Sequence, residues 1–269
     1  RRRFNNVVTD TNLVAGSAVT QLIPGIGANY NLNKNTTLFA GIHRGFAPPR
    51  VKDAIDGGGQ VQQLDAELSW NYELGSRIAI STWLQAEITA FRLDFSNQII
   101  PVSQSSGGLG TGLINGGKTL HQGIESALNL DFGQLLKTKN SLILHGMATY
   151  IDARFANDRF VPMGNDTLNI SGNRTPYAPK WLLTAGLSFE AKNGLRARMM
   201  LNHIGEQFGD ILNRTEPTPN GREGLIPAYT LLDASIIYPW RDKYSFSLSV
   251  KNLTNERYIV NRRPQGIRV

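Results

Sequence analysis

The sequence predicts an all-β protein, an antiparallel transmembrane β-barrel of which about ten strands are present. Apolar and polar residues alternate with a period of two, which places them on opposite faces of strands. Many of these segments are longer than ordinary strands and reach the roughly 9–11 residues that cross a bilayer on a tilt. The connections between them are alternately short and long, as they are in outer-membrane barrels.

The composition is compatible with such a barrel. The chain is 41% hydrophobic with a mean hydropathy of −0.25, and it lacks an apolar run of about 18 residues, so no transmembrane helix is predicted. A barrel can still cross the membrane because alternation dilutes its apolar residues. Cysteine is absent, which excludes disulfides, thiolate metal sites and thiol nucleophiles. The opening RRRFNNVVTD has no apolar segment like that of a signal peptide, so we expect a mature fragment.

Binding of nucleic acid is one explanation for the net charge of +7, although nucleic acid is not an expected partner. The basic residues are scattered, and several lie in stretches rich in glycine, asparagine and proline. An anionic small ligand or a lipopolysaccharide surface would account for the charge equally well.

The predicted strands follow the alternation along the chain. The clearest example lies at 64–79, where Leu68 and Trp70 alternate with Ser69, Asn71 and Glu73. The same pattern is evident at 117–132, 176–191, 195–208 and 227–240, and it is nearly unbroken in the YSFSLSV segment of the last strand. The ten predicted strands cover residues 18–32, 36–47, 64–79, 82–101, 117–132, 140–153, 176–191, 195–208, 227–240 and 243–253.

The connections between these strands predict two unlike edges. The short connections are 33–35, a turn near 80, 133–139, 192–194 and 241–242. The long connections are 48–63, 102–116, 154–175, 209–226 and 254–269. Antiparallel strands place every second connection on the same side, so one edge carries tight turns and the other carries large loops.

Aromatic residues are concentrated towards the predicted strand ends, where a membrane interface favours tryptophan and tyrosine. The alternative is that they fill the core of a soluble β-sandwich. The residues concerned are Phe46, Trp70, Trp83, Tyr150, Tyr177, Trp181, Tyr229, Tyr238, Trp240 and Tyr244.

Six segments in order resemble the TonB-dependent outer-membrane receptors. HRGFAPPRVKDAI resembles the family's R-G-F-x-x-P segment, LDAELSWNYELGSR its E-x-x-x-N-x-E-x-G strand, and NGGKTLHQGIE its N-x-G-x-x-x-x-G-I/V-E segment. The resemblance continues through 175–190, 226–240 and 246–259, and the closing RRPQGIRV is most similar to the ferric-dicitrate type.

The resemblance implies the C-terminal part of a 22-stranded barrel, with residues 1–269 forming one domain and with the last strand and the plug domain missing. It implies active import of a ferric chelate, a siderophore or ferric dicitrate, by a monomer energised through TonB. The expected partners are the TonB complex, acting through the absent plug, together with outer-membrane lipid, lipopolysaccharide and the chelate. A passive porin-like channel and a receptor for haem, cobalamin or carbohydrate on the same barrel remain alternatives.

No enzymatic chemistry is expected. The four histidines show no ligand spacing, so neither a protein-bound metal nor a cofactor is predicted, and the ferric chelate is the transported substrate. A glycine-rich stretch at 106–117 lacks the end of a phosphate-binding loop, and no G-x-S-x-G motif occurs. Carboxylates on the polar faces of the strands are expected to form ion pairs with Arg77, Arg196 and Arg198.

Basic residues in the long loops are the candidate ligand contacts. Loop 254–269 has a net charge of +3, loop 154–175 of +1 and loop 209–226 of −1, so the excess lies in the last loop. Arginine forks bind carboxylates through two hydrogen bonds, which suits a citrate-like chelate. Alternatively, these arginines pair with lipopolysaccharide phosphates or with the plug domain instead of a ligand. The candidates are Arg257, Arg262, Arg263, Arg268 and Arg174.

Overall fold

The computed structural model describes residues 2–8, 13–50, 63–101, 113–163, 165–241 and 243–262. Its strands are β1 (Arg2–Val8), β2 (Leu13–Val19), β3 (Gly25–Asn33), β4 (Thr36–Ala47), β5 (Glu67–Ser81), β6 (Leu84–Pro101), β7 (Leu113–Asp131), β8 (Ser141–Phe155), β9 (Phe160–Met163), β10 (Asp166–Asn169), β11 (Trp181–Glu190), β12 (Arg196–Ile204), β13 (Gln207–Phe208), β14 (Leu225–Ile226), β15 (Tyr229–Trp240) and β16 (Tyr244–Val250). A four-residue helix, α1 (Phe132–Leu135), follows β7.

Ten strands form one antiparallel sheet in the order β3-β4-β5-β6-β7-β8-β11-β12-β15-β16. The prediction of ten strands is confirmed, because each has its counterpart in the sheet. The first one starts later than expected, at Gly25, and a separate hairpin of β1 and β2 precedes it. The strand pair β9–β10 lies inside the predicted loop 154–175. In the pair β13–β14, β13 falls at the end of the predicted strand 195–208 and β14 lies in the predicted loop 209–226. No helix in the described part of the chain is long and apolar enough to cross a bilayer.

The register of the sheet separates an apolar face from a polar face. Leu74 lies opposite Ala40 on one side and Ala90 on the other, and Ala90 lies opposite Ile124. A contiguous exposed apolar surface of this kind requires a covering, and for a sheet with the predicted strand lengths that covering is lipid. Exposed members of the apolar face include Leu74, Ile88, Ile124, Leu128, Leu183, Leu187, Met199, Leu201, Ile236, Phe246 and Leu248.

The polar face carries Asn71, Glu73, Glu87, Glu125 and Arg198 on strands β5, β6, β7 and β12. The pairing expected for Arg77 is confirmed, since its Nε lies 2.8 Å from an oxygen of Glu87. The pairing expected for the other two arginines is wrong within the described residues. Arg198 reaches the hydroxyl of Ser188 at 3.4 Å, and Arg196 has no carboxylate within ion-pair distance.

The two edges of the sheet differ as predicted. The turn edge consists of the connections 34–35, 82–83, 132–140, 191–195 and 241–243. The loop edge consists of 48–66, 102–112, 156–180, 205–228 and the tail from 251 onwards. Residues 51–62 of the first loop and all of the second loop, 102–112, lie outside the described residues, so the site below is built from the others.

Candidate functional site

A cavity of about 600 Å³ opens on the polar face beside the loop edge. Its walls come from the start of β5, the outer parts of β6, β7 and β8, the segment 175–179 and the start of β11. Apolar side chains line one part and polar side chains the other, a mixture typical of pockets that hold small organic ligands. The volume also lies in the range of such pockets, roughly 300–1,000 Å³.

A chain of hydrogen bonds crosses the cavity wall. Gln98 donates from Nε2 to the hydroxyl of Thr119 at 3.0 Å, and Nε2 of His121 lies 3.2 Å from the same hydroxyl. The ring of Phe95 packs edge-on against His121 with the ring centres 5.2 Å apart. Glu67, at the far side, accepts a hydrogen bond from the backbone N–H of Ile99 at 2.9 Å. These contacts fix the polar groups before any ligand arrives.

Arg159 brings a positive charge to the cavity. Its guanidinium lies 4.7 Å from the centre of the Phe155 ring, and the residue is only 8% exposed. The hairpin β9–β10 holds it in place, because the backbone N–H of Ile170 donates to the Arg159 carbonyl at 2.7 Å. Burial lowers the pKa of the Arg159 guanidinium below its ordinary value. A buried cation resting on an aromatic ring favours an anionic ligand.

The segment 175–179 supplies two hydroxyl groups. The side-chain oxygen of Thr175 is buried and has no hydrogen-bond partner in the described part of the chain. Tyr177 has φ +58°, a backbone conformation that is costly for residues other than glycine and is concentrated at functional sites. Its hydroxyl donates to the backbone carbonyl of Arg262, and its N–H donates to the carbonyl of Phe208 at 2.9 Å. The buried hydroxyl of Thr175 therefore requires a partner that the described residues do not supply.

Arg174 lies behind the cavity wall. It is 7% exposed, donates from Nη2 to the carbonyl of Ala178 at 2.8 Å and lies 5.4 Å from the Phe208 ring centre. Its backbone N–H donates to Oδ1 of Asn213 at 2.7 Å, and Nδ2 of Asn213 returns a bond to the Arg174 carbonyl at 2.8 Å. Burial lowers the pKa of Arg174, with the nearby Glu206 acting in the opposite direction. This arginine therefore joins two loops.

Arg262 joins the tail to the same assembly. It is 6% exposed, and its guanidinium donates to the carbonyl of Leu225 at 3.1 and 3.2 Å and to that of Gly221 at 3.0 Å. The tail is held upstream as well, where Tyr258 stacks on Tyr229 with ring centres 4.4 Å apart. The segment 205–228, the segment 173–178 and the tail to residue 262 are thus tied together by side-chain hydrogen bonds.

The structure does not bring the five arginines expected from the sequence into one site. Arg174 and Arg262 are buried among backbone carbonyls, as described above. Arg257 lies on the exposed part of the tail. Arg263 and Arg268 fall outside the described residues. No group of three or more histidine or acidic side chains suited to a metal ion occurs in the described ranges.

The sequence reasoning missed the residues that line the cavity. It counted Arg159 only toward the charge of its loop, and it considered His121 only as a metal ligand. Strand parity was the available signal, because His121, Thr119 and Phe155 all fall on the polar face near the ends of β7 and β8. Nothing local in the sequence indicates that Thr175 and Tyr177 fold onto the same cavity.

Comparison with known proteins agrees with this architecture. A family model described as "TonB dependent receptor-like, beta-barrel" matches residues 2–253. The iron-regulated outer membrane virulence protein of Vibrio cholerae serotype O1 is 23% identical over 252 residues, which cover 87% of this chain and 35% of that protein. The pesticin receptor of Yersinia enterocolitica is 24% identical over 242 residues, covering 88% of this chain and 32% of that receptor.

Two solved structures share the fold. The ferric citrate transporter FecA in its unliganded form superposes with a TM-score of 0.76 at 23% identity, covering 96% of this chain and 37% of that chain. The siderophore receptor PiuA from Acinetobacter baumannii superposes with a TM-score of 0.75 at 16% identity, covering 97% of this chain and 36% of that chain. The present chain spans about a third of the length of the curated relatives it matches.

Proposed function

This chain belongs to the TonB-dependent receptor β-barrel family, and we propose that it forms the substrate-capturing part of a receptor that imports a ferric chelate. It is an outer-membrane protein, and the proteins it resembles are named as an outer membrane virulence protein, a receptor and a transporter, not as enzymes. In an outer-membrane barrel the long loops face the outside and the short turns face the periplasm. The polar face then lines the lumen, and the cavity lies at its outer mouth.

The cavity is the observation that carries the proposal. It combines a buried cation on an aromatic ring, an unpaired hydroxyl and an apolar wall within about 600 Å³. Ferric chelates of carboxylate or catecholate ligands are anionic, bulky and partly apolar, so each of these features has a counterpart in the ligand. The iron arrives already coordinated and requires no protein ligand.

We assign the roles of the arginines on the same grounds. Arg159 is proposed to contact the chelate directly, whereas Arg174 and Arg262 hold the loops that surround the cavity. Arg257, together with Arg263 and Arg268, remains proposed as a set of cations that meet the ligand on the outer side. Exposed cations of this kind increase the rate of encounter with an anion more than the final affinity.

The energy for release is proposed to come from TonB through a plug domain seated in the lumen. The residues of the polar face would then contact the plug, and the receptor would act as a monomer. The transported substrate is proposed to be a siderophore complex or ferric dicitrate. The relatives include a ferric enterobactin receptor and the structural neighbours include a ferric citrate transporter.

A binding measurement on the full-length receptor tests the proposal. Ferric citrate and ferric enterobactin serve as probes, and equilibrium binding is compared for the wild type, Thr175→Val and Arg159→Gln. Since the Thr175 hydroxyl has no partner in the described residues, its removal should leave the fold intact and weaken binding about three- to tenfold. Arg159→Gln should weaken binding about tenfold or more. Arg222→Gln is the matched control, an exposed arginine of another loop.

Uptake of radiolabelled iron distinguishes the proposal from a passive channel. A strain that lacks the receptor should regain uptake of one of these chelates with the wild-type gene and only when TonB is present. Uptake without TonB, accompanied by conductance in planar bilayers, would favour a porin-like channel. Binding of neither chelate, with growth on both unaffected by deletion, would overturn the iron substrate.

A further inference from the structure

The polar face of the sheet carries two of the four methionines of the chain, Met147 and Met200. Met147 lies opposite Ala127, which shares its face with Glu125 on β7. Met200 shares its face with Arg198 on β12. Met147 is 56% exposed, so its thioether does not fill a core in the described part of the chain. A thioether on a polar wall requires another explanation, and its soft, polarisable sulfur makes it a potential ligand.

His145 lies between these two methionines. It is two residues before Met147 on β8 and lies opposite Gly186, which in turn lies opposite Met200. The three side chains therefore stand on the same face. Gly186 keeps the space between them open, because a Cβ on Gly186 would lie 2.6 Å from Sδ of Met200 and 3.8 Å from Cβ of His145. The Met200 thioether thus lies over Gly186, on the side of the histidine.

The imidazole of His145 has one nitrogen available for ligation. Its Nδ1 lies 2.6 Å from the side-chain oxygen Oδ1 of Asn129, and because a carbonyl oxygen only accepts, Nδ1 carries the proton. In the neutral ring Nε2 then keeps its lone pair. Among the described residues Nε2 has no hydrogen-bond partner. Histidines that bind metals commonly have this arrangement, with an oxygen acceptor fixing the ring through its other nitrogen.

The ligand set selects the class of metal ion. One imidazole nitrogen and two thioether sulfurs are soft ligands, which prefer Cu(I), whereas carboxylate and carbonyl oxygens prefer hard ions such as Mg²⁺ and Ca²⁺. The surrounding charges allow a monovalent cation. Asp233 lies opposite Met200 on β15 and offsets the charge of Arg198, which lies two residues from Met200 on β12.

We propose that His145, Met147 and Met200 form a binding site for Cu(I) on the polar face of the sheet. Nε2 of His145 and the two thioether sulfurs are the ligands. Met200 is two strands away from His145, about 10 Å between backbones, and Met147 is about 7 Å along the same strand. Long, unbranched methionine side chains can converge on Nε2 across these distances. The site shares no residue with the cavity at the loop edge, so the inference does not depend on which chelate is imported.

The test uses the full-length receptor purified in detergent. The protein is titrated with Cu(I) under anaerobic, reducing conditions against a competing Cu(I) chelator, and with Ag(I) as a soft ion that is not redox-active. Met200→Leu is compared with Met199→Leu, the matched control, which removes the neighbouring thioether from the apolar face of the same strand. Both changes conserve side-chain volume, so the fold should persist. We expect Met200→Leu to weaken Cu(I) binding about tenfold or more and the control to match the wild type.

X-ray absorption at the copper edge identifies the ligands directly. With one equivalent of Cu(I) bound to the wild type, we expect two sulfur neighbours and one nitrogen neighbour, and one sulfur fewer in Met147→Leu. A copper site without sulfur neighbours would overturn the proposal, as would equal Cu(I) affinity in Met199→Leu and Met200→Leu. Ferric-chelate binding by Met200→Leu is expected to equal that of the wild type, which separates a failure here from a failure of the proposed function.

Discussion

The two edges of the sheet are built in opposite ways. At the turn edge, closure is local: the N–H of Asn35 donates to Oδ1 of Asn33 at 2.8 Å, and the N–H of Leu195 donates to Oδ1 of Asn193 at 3.2 Å. At the loop edge, the bonds join distant parts of the chain. Arg174 and Asn213 are 39 residues apart, and Arg262 and Leu225 are 37 residues apart. The turns reverse the chain and share one bond between neighbouring turns, from the N–H of Lys192 to Oδ1 of Asn140 at 3.1 Å, whereas the loops form a second layer of structure above the sheet.

The difference shows what each edge is for. A tight turn that reverses the chain direction needs few residues and loses little conformational entropy, and local hydrogen bonds are enough to stabilise it. Long loops that are held by side-chain hydrogen bonds lose more entropy on folding, so their order indicates a function that depends on fixed positions. At the loop edge that order places Thr175 and Tyr177 against the cavity.

Gly224→Ala should destabilise the loop edge more than any other single substitution considered below. Gly224 has φ +113°, and a Cβ there would lie 2.7 Å from Cα of Pro217 and 2.8 Å from the carbonyl oxygen of Glu216. We expect a local destabilisation of about 2–4 kcal/mol, measured as faster amide hydrogen exchange across 205–228. Gly194→Ala at the turn edge is the counterpart. Its main clash is with the ring of Pro239, so faster exchange should stay within 191–195.

Arg262→Met should have the next largest effect. The variant removes three hydrogen bonds and leaves the carbonyls of Gly221 and Leu225 without their donors. The expected loss is about 2–3 kcal/mol of loop-edge stability, detected as protease cleavage between residues 210 and 225 in intact cells. If the cleavage rate stays at the wild-type level, the tail is not what holds this loop.

Asn213→Ala should have a smaller effect, about 1–2 kcal/mol. It removes the reciprocal pair of bonds to the backbone of Arg174, while the guanidinium of that arginine keeps its bond to Ala178. Hydrogen exchange should quicken in both 173–175 and 210–214, although these segments are far apart in sequence. If hydrogen exchange becomes faster in only one of these two segments, the bonds between Asn213 and Arg174 do not couple the loops.

Asn193→Ala should have the smallest effect, about 0.5–1 kcal/mol, because it removes one exposed bond within a turn. Exchange should quicken around residue 195 and nowhere on the loop edge. Ferric-chelate binding should equal that of the wild type in the same preparation, which makes this variant a functional control for the three loop-edge changes.

The sheet could be predicted from the sequence because strand parity and turn length are local signals. The alternation of Leu68 and Trp70 with Ser69 and Asn71 can be read from this segment alone, without knowledge of its contacts with the rest of the chain. The strands β9, β10 and β14 escaped prediction because they are short and have no repeating alternation. β13 was predicted as the end of the strand 195–208, which the structure interrupts at 205–206. The hairpin of β1 and β2 was missed as well, because the alternation of apolar and polar residues does not indicate that these strands are separate from the main sheet.

The site was harder to predict because its residues, like the short loop strands, are positioned by contacts with distant parts of the chain. Arginines in polar loops are exposed in most proteins, so Arg174 and Arg262 were expected to face a ligand. Arg262 is buried by carbonyls of a distant loop, those of Leu225 and Gly221. Arg174 is buried by the Phe208 ring of another loop and by the nearby carbonyl of Ala178. Arg159 has no sequence feature that distinguishes it from the other loop arginines. The ring of Phe155 lies four residues earlier, and the bonds that hold the Arg159 backbone come from Asn169 and Ile170, about ten residues later in the chain.

Hydrogen exchange with and without bound chelate tests whether the cavity at the loop edge captures the ligand. Full-length receptor is compared with and without the chelate that it binds, and amide protection is followed at both edges. Slower exchange should appear at 98–100, 119–121 and 175–182, with 191–195 and 243–245 unchanged. If protection is confined to the turn edge, or is absent at the cavity segments despite saturating chelate, the cavity is not the site that captures the ligand.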